Sequence, residues 1–268
     1  MQSLSKREPA ERSYVFVGPP ASGKTVYFTC AMDRLRSVLA IRNRDYSLQS
    51  HDVETSRRHT KSVEEMRKGR WPQQTAEPHK LQYRLDHKLG FGKSVHLATM
   101  EYRLAYHDYP GEVFLRAFGD DRPEPSHWEE EAAQLKVDIC KAKGVFVVVD
   151  TVKLHDRHDE QYNLQLFRLF DYLEKQALVK RIAVVFTKRD LFGEDHEFDP
   201  AECLRDRYTD AWVFLQRLKA KTFFVSAVDP HFTDKDGNIV PPAGYDTSKS
   251  HDLLAPISWI LKLPNDVR

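Results

Sequence analysis

The stretch YVFVGPPASGKTVYF, Tyr14 to Phe28, constrains the fold more than any other part of the chain. The apolar run Val15–Val17 meets a loop with glycine at two fixed places, and a helix-like run begins at Thr25 and continues to about Leu39. Gly18-Pro19-Pro20-Ala21-Ser22-Gly23-Lys24-Thr25 satisfies the pattern G-x-x-x-x-G-K-[ST] in full. Glycines are needed there because backbone N–H groups must turn inward and approach phosphate oxygens with no Cβ in the way. A helix starting at such a loop, here through Thr25 and Val26, aims the positive end of its dipole at the same anion. Lys24 is placed to reach the β- and γ-phosphates, and the Thr25 hydroxyl to ligate Mg²⁺. An ordinary glycine-rich turn is the competing reading, and the flanking strand and helix argue against it.

Strand and helix patterns alternate along the rest of the chain, which predicts an α/β fold with a mostly parallel sheet, about six strands and about five helices. Leu81, Tyr83 and Leu85 alternate with polar residues, as do Ala98, Met100, Tyr102, Leu104 and Tyr106. The short KLGFGKS connection predicts that these two strands pair as an antiparallel hairpin at the sheet edge. GVFVVVD (144–150) and RIAVVF (181–186) are continuous apolar runs, as strands covered on both faces must be. KTFFVSAV is the last strand. Helices are predicted over 129–141, with Ser126 and Glu129 at capping-box spacing, over 159–177, around Leu204 to Leu218, and over 252–262. Residues 41–79 are polar and weakly periodic and read as an insertion. Residues 1–12 read as a flexible tail and 13–268 as one domain.

Composition narrows the class of function. Of 268 residues, 41% are hydrophobic and 30% charged, enough for a core under a solvated surface. A net charge of +1 argues against a dedicated nucleic-acid binder. Cys30, Cys140 and Cys203 are odd in number and widely spaced, which fits neither a disulfide framework nor a zinc site but does fit the cytoplasm. There is no signal peptide and no apolar run long enough to span a membrane.

Three segments follow the phosphate loop in order. Asp108-Tyr-Pro-Gly111 comes after the hairpin, Thr187-Lys188-Arg189-Asp190 ends a buried strand, and Ser226-Ala227-Val228 follows the last strand. All fall where an open α/β sheet binds its ligand, at the carboxyl ends of strands. In this order they resemble the D-x-x-G, N/T-K-x-D and S-A elements of the TRAFAC-class, Ras-like small GTPases, a resemblance that covers nearly the whole chain after residue 12. The resemblance implies a P-loop, Ras-like GTPase domain that binds GTP and GDP with Mg²⁺. It assigns the Asp190 carboxylate to guanine N1–H and the exocyclic amine, a donor pair adenine lacks. It lays the Lys188 stem across the purine and lets the Ser226–Val228 backbone reach the guanine carbonyl. Asp108 would hold Mg²⁺ through water, and the Gly111 N–H would sense the γ-phosphate. A threonine ahead of the hairpin should complete the metal site. Of Thr55, Thr60 and Thr75, Thr75 in GRWPQQT stands nearest the hairpin. That heptapeptide, DYPGE and TKRD resemble the bacterial double-GTPase group, whose members act in multi-gene signalling or conflict systems.

Two positions depart from the Ras-like pattern. Glu112 replaces the glutamine that orients the attacking water, so intrinsic hydrolysis is expected to be slow without an activating partner. Thr187 replaces asparagine, which is expected to weaken the bond bracing the base site to the phosphate loop. Asp150, ending a buried strand, offers a competing magnesium carboxylate of the ATPase type. Arg57, Arg58, Arg67 and Arg70 in the insertion could supply a cation in cis, or simply form a solvated basic loop. His155 and His158 have no metal-site companions, and Cys30 reads as packing. The expected activity is a GTP-hydrolysing switch acting on a protein effector, with dimerisation left open. The alternatives are a nucleotide-dependent scaffold and an ATPase or kinase built on Asp150.

Overall fold

The structure, a computed structural model, describes residues 11–42, 45–91, 95–119, 127–156, 160–176, 181–192, 198–228, 232–233, 239–241, 244 and 252–263. In chain order the elements are β1 (Glu11–Val17), α1 (Lys24–Arg42), β2 (Tyr46–Ser50), α2 (Val53–Arg67), β3 (His79–Phe91), β4 (Val95–Asp108), α3 (Gly111–Phe118) and α4 (Glu129–Lys141). There follow β5 (Gly144–Asp150), α5 (Thr151–Asp156), α6 (Glu160–Lys175), β6 (Ile182–Thr187), a 3₁₀ turn (Arg189–Phe192), α7 (Pro200–Arg207), α8 (Thr209–Arg217), β7 (Lys221–Phe224), β8 (Phe232–Thr233), β9 (Ile239–Val240) and α9 (Ala255–Leu261).

Seven strands form one sheet in the order β2-β3-β4-β1-β5-β6-β7. β1 lies parallel to both β4 and β5, and β6 and β7 continue in the same sense. β3 alone runs against its neighbours, antiparallel to β4 and to β2. This is the expected α/β arrangement of a P-loop domain. Alternation along β1 sends Tyr14 and Phe16 to one face, where they pack with α1, Met66 of α2 and α9. Val15 and Val17 go to the other face, against residues of α3, α4, α6, α7 and α8. Phe16 and Phe146 stack 4.3 Å apart at the centre of the first core. Every residue of β5 and β6 is buried, which is why both read as unbroken apolar runs.

The structure departs from the sequence reading in several places. The polar stretch 41–79 is no featureless insertion, because it contains β2 and α2. β2 covers β3, so β2 rather than the hairpin strand forms the sheet edge. α2 starts because Asp52 accepts the Thr55 N–H at 2.6 Å. It buries Thr55, His59, Val63 and Met66, a stripe at helical spacing that is half polar. A second unread helix, α3, begins directly at Gly111, and a third, α5, follows β5. The helix expected around Leu204 to Leu218 is two helices, broken at buried Tyr208. α4 spans the expected residues, but its cap position is Trp128; Ser126 lies outside the described residues. Glu11 and Arg12 of the expected tail belong to β1. No helix among the described residues is long and apolar enough to cross a membrane.

Candidate functional site

Register places the candidate segments together. Phe16 pairs with Asp108 and Val17 with Val147, while Asp150 pairs with Thr187 and Phe186 with Phe224. The phosphate loop after β1, the end of β4, Thr187 and the segment after β7 therefore share one edge of the parallel sheet, where β-α connections leave a crevice.

The loop from Gly18 to Gly23 is bound by close contacts. A Cβ on Gly18 would lie 2.2 Å from the Val148 carbonyl oxygen. Gly23 has φ +85°, a conformation that favours glycine, and Ala21 sits at φ 60°. Ser22 is fully buried. α1 begins at Lys24 with no acidic residue in its first turn, which leaves its N-terminal dipole uncompensated. The Lys24 ammonium curls over the loop, donating to the Gly18 carbonyl at 2.9 Å and the Pro19 carbonyl at 3.0 Å. Burial lowers its pKa to about 8, against the opposing pull of Asp108 and Glu112.

Thr25, Thr75 and Asp108 come from three distant parts of the chain and converge on one point. Thr25 Oγ1 lies 2.9 Å from Thr75 Oγ1 and 3.0 Å from Asp108 Oδ2, and Thr75 Oγ1 lies 2.9 Å from the same carboxylate oxygen. Two hydroxyl protons face three contacts, so a proton is shared or one contact lacks a hydrogen. If both donate to the carboxylate, the third contact has no hydrogen. Asp108 is buried, and its Oδ1 has no hydrogen-bond partner. The all-oxygen donor set and the orphaned carboxylate oxygen fit Mg²⁺. Thr55 and Thr60 are elsewhere: Thr55 accepts the Gln82 N–H and caps α2 with Asp52, and Thr60 is exposed.

Gly111 packs so closely on the phosphate loop that a Cβ there would fall 2.4 Å from Pro20 Cα. Glu112, in the first turn of α3, accepts a 3.2 Å hydrogen bond from the Gln74 amide, so the Thr75 segment and the Asp108–Glu112 segment touch. Tyr109 anchors the latter from below. Its hydroxyl donates to Asp138 of α4 at 2.6 Å, and His107 lies 2.8 Å from the same carboxylate. Burial would raise the Asp138 pKa, but hydrogen bonds from His107, Tyr109 and Gln134 outweigh it and lower it to about 2. Asp138, Gln74 and Tyr109 carry no sequence signal as site residues, although Gln74 and Tyr109 lie inside the quoted motifs.

At the base side, Ser226 Oγ lies 3.0 Å from Asp190 Oδ1 and 2.6 Å from the Val228 carbonyl oxygen, tying the two predicted guanine-reading segments to each other. Ala227 and Val228 are buried behind them. Thr187 does brace the phosphate loop: its hydroxyl lies 2.8 Å from the Ser22 carbonyl and 3.1 Å from the Val149 carbonyl, one proton shared between two acceptors. Lys188, at φ 67°, ion-pairs with Asp150 at 2.7 Å. The other Asp150 oxygen accepts the N–H groups of Val152 at 3.0 Å and Lys153 at 3.4 Å, capping α5. Both Asp150 oxygens are thus committed away from the Thr25–Thr75–Asp108 point.

A cavity of about 310 Å³ opens beside that point, lined by Thr25, Thr75, Asp108, Arg58, His79 and Tyr83 among others. Of the four insertion arginines, Arg58 faces it, bonded to His79 Nε2 at 2.7 Å, whereas Arg57, Arg67 and Arg70 are exposed. Burial and the adjacent Arg58 cation hold the His79 pKa below its ordinary value. His155 packs edge-on against Phe192; His158 lies outside the described residues. Cys30 is buried in the first core.

No family model and no curated protein matches the chain. Among solved structures, the G domain of the T. maritima FeoB iron transporter is 17% identical, with a TM-score of 0.32 over 81% of this chain and 89% of that one. The GTP-bound GTPase-like domain of S. cerevisiae Ski7 is 14% identical, with a TM-score of 0.43 over 89% of this chain and 47% of that one. At these scores neither likeness carries weight, so function is read from the geometry.

Proposed function

We propose that the chain is a single-domain, Mg²⁺-dependent GTP-binding and GTP-hydrolysing switch. The observation that carries this reading is the meeting of Thr25, Thr75 and Asp108 at one point beside a phosphate loop. Lys24 and the first N–H groups of α1 hold the phosphates. Asp190, linked to Ser226, reads the guanine edge, and the Ser226–Val228 backbone backs it. Thr25 and Thr75, with Asp108 through water, would hold Mg²⁺, which would supply charge neutralisation to the bound phosphates. Thr75 and Gly111 belong to different segments, so their joint engagement by the γ-phosphate is what distinguishes the two nucleotide states. Asp150 is spent on Lys188 and the α5 cap, which speaks against an ATPase or kinase built on it.

Intrinsic hydrolysis is slow in this reading. Glu112 adds negative charge where the γ-phosphate would sit and cannot donate as an amide can. The same residue favours a second reading, a nucleotide-dependent scaffold with negligible turnover, because Glu112 is engaged with Gln74. An activating protein, a protein effector and membership of the bacterial double-GTPase group, working in the cytoplasm, belong to the first reading. Equilibrium binding of labelled GTP, GDP and ATP, with and without Mg²⁺, tests the assignment. Native protein should prefer guanine nucleotides, and Asp190→Asn should abolish that preference; preference for ATP would sink it. Single-turnover phosphate release from Glu112→Gln against the native chain then separates switch from scaffold.

A further inference from the structure

Residues 68–78, which deliver Thr75, have no regular secondary structure in the structure. Such a segment carries backbone entropy that any metal site built on it must overcome. Two hydrogen bonds moor its start to a remote part of the chain. The Trp71 indole N–H donates to the Ile239 carbonyl at 2.6 Å, and the Gly244 N–H donates to the Arg67 carbonyl at 2.9 Å. The second satisfies one of the orphaned carbonyls at the end of α2. Both partners belong to the stretch that leaves the predicted guanine-reading segment Ser226–Val228. Further along the chain, Asp252 pairs at 3.1 Å with Arg189, the neighbour of Asp190. Pro72 follows Trp71 directly, and its locked φ, with the extended bias it imposes on Trp71, shortens the free path to Thr75.

We infer that Trp71 is a positioning residue for the magnesium threonine, mooring the segment that carries Thr75 to β9. The inference rests on the proposed function and names the part of the chain that holds Thr75 within reach of Asp108. The physical reason is directional. Indole is a donor only, and a backbone carbonyl at 2.6 Å fixes where the ring sits; phenylalanine at the same position keeps the ring and loses the donor. Trp71 and Ile239 are both about two-fifths exposed, so replacing the tryptophan empties no core.

The test compares native protein with Trp71→Phe and Trp71→Ala. Binding of a non-hydrolysable GTP analogue in Mg²⁺ and of GDP in EDTA is measured, together with thermal melting and amide exchange over residues 70–76. Loss of one neutral hydrogen bond is expected to weaken Mg²⁺–analogue binding about threefold to tenfold in Trp71→Phe, and at least as much in Trp71→Ala. GDP binding without metal should stay within about twofold, melting should be unchanged, and exchange over 70–76 should rise even without nucleotide. Equal weakening of both nucleotides, or unchanged analogue affinity with unchanged exchange, overturns the inference. Native protein that binds the analogue independently of Mg²⁺ overturns the proposed function and this inference together; that failure is read from the native curves alone.

Discussion

In the proposed reading, with Lys24 on the phosphates, nucleotide affinity should fall as pH rises. The Lys24 ammonium is buried, and the free protein holds its pKa at about 8 rather than 10.5. At about 1.4 kcal/mol per tenfold change, burying the charged form costs at most about 3.5 kcal/mol in the free fold. The folded value lies below the unfolded one, so the unfolded chain binds more protons between them. Stability of the free protein is therefore penalised below about pH 8 and recovers as pH rises from there toward 10.5. A triphosphate reverses the preference, because its negative charge favours the ammonium. The free protein is about nine-tenths protonated at this residue at pH 7 and about one-tenth at pH 9, so GTP affinity should fall about tenfold across that range. Isothermal titration in buffers of different ionisation enthalpy would show proton uptake on binding near pH 8.5. Lys24→Arg, which stays charged, should flatten the profile. A native affinity that does not change between pH 7 and 9, or a slope that survives in Lys24→Arg, would refute the reasoning.

Thr75→Ala and Asp108→Asn should each abolish most of the Mg²⁺ dependence of analogue binding, a loss of about tenfold or more, while leaving metal-free GDP binding nearly intact; metal titration with and without chelator checks this. Gly18→Ala forces a Cβ against the Val148 carbonyl and should cost about 2 kcal/mol, read as a melting temperature lower by about 4–8 °C. Asp138→Asn should remove about 2 kcal/mol of stability at pH 7. Because the native carboxyl is depressed to about 2, that contribution is present above pH 4 and disappears as pH falls toward 2. Urea unfolding of both proteins should therefore differ by about 2 kcal/mol at pH 7 and by less than about 1 kcal/mol at pH 2.5.

Much of this was legible from residue order alone. Continuous apolar runs mark β5 and β6 because both faces of those strands are covered, and the Tyr83/Leu85 and Leu104/Tyr106 alternation marks the hairpin. Motif order brought Thr25, Thr75 and Asp108 forward as metal candidates, and they lie within 3.0 Å of one another. What escaped notice did so for identifiable reasons. α2 buries Thr55 and His59, which a hydrophobic periodicity does not register, although Asp52 before Thr55 carried a capping signal. β2 is a five-residue strand whose exposed Gln49 and half-exposed serines look like loop. The division at Tyr208 has no breaker residue to announce it. The Tyr109–Asp138 anchor joins residues far apart in the chain, which no local pattern reports.

The last three residues of β5 each serve a different neighbour. The Val148 carbonyl limits what Gly18 can be, the Val149 carbonyl shares the Thr187 proton with the phosphate loop, and Asp150 grips Lys188. One rigid rod in the middle of the sheet thus works as a common jig for the cradle, the brace and the base loop. A shift of that rod along its axis would misalign all three at once, whereas the solvent-facing segments can vary with only local consequences.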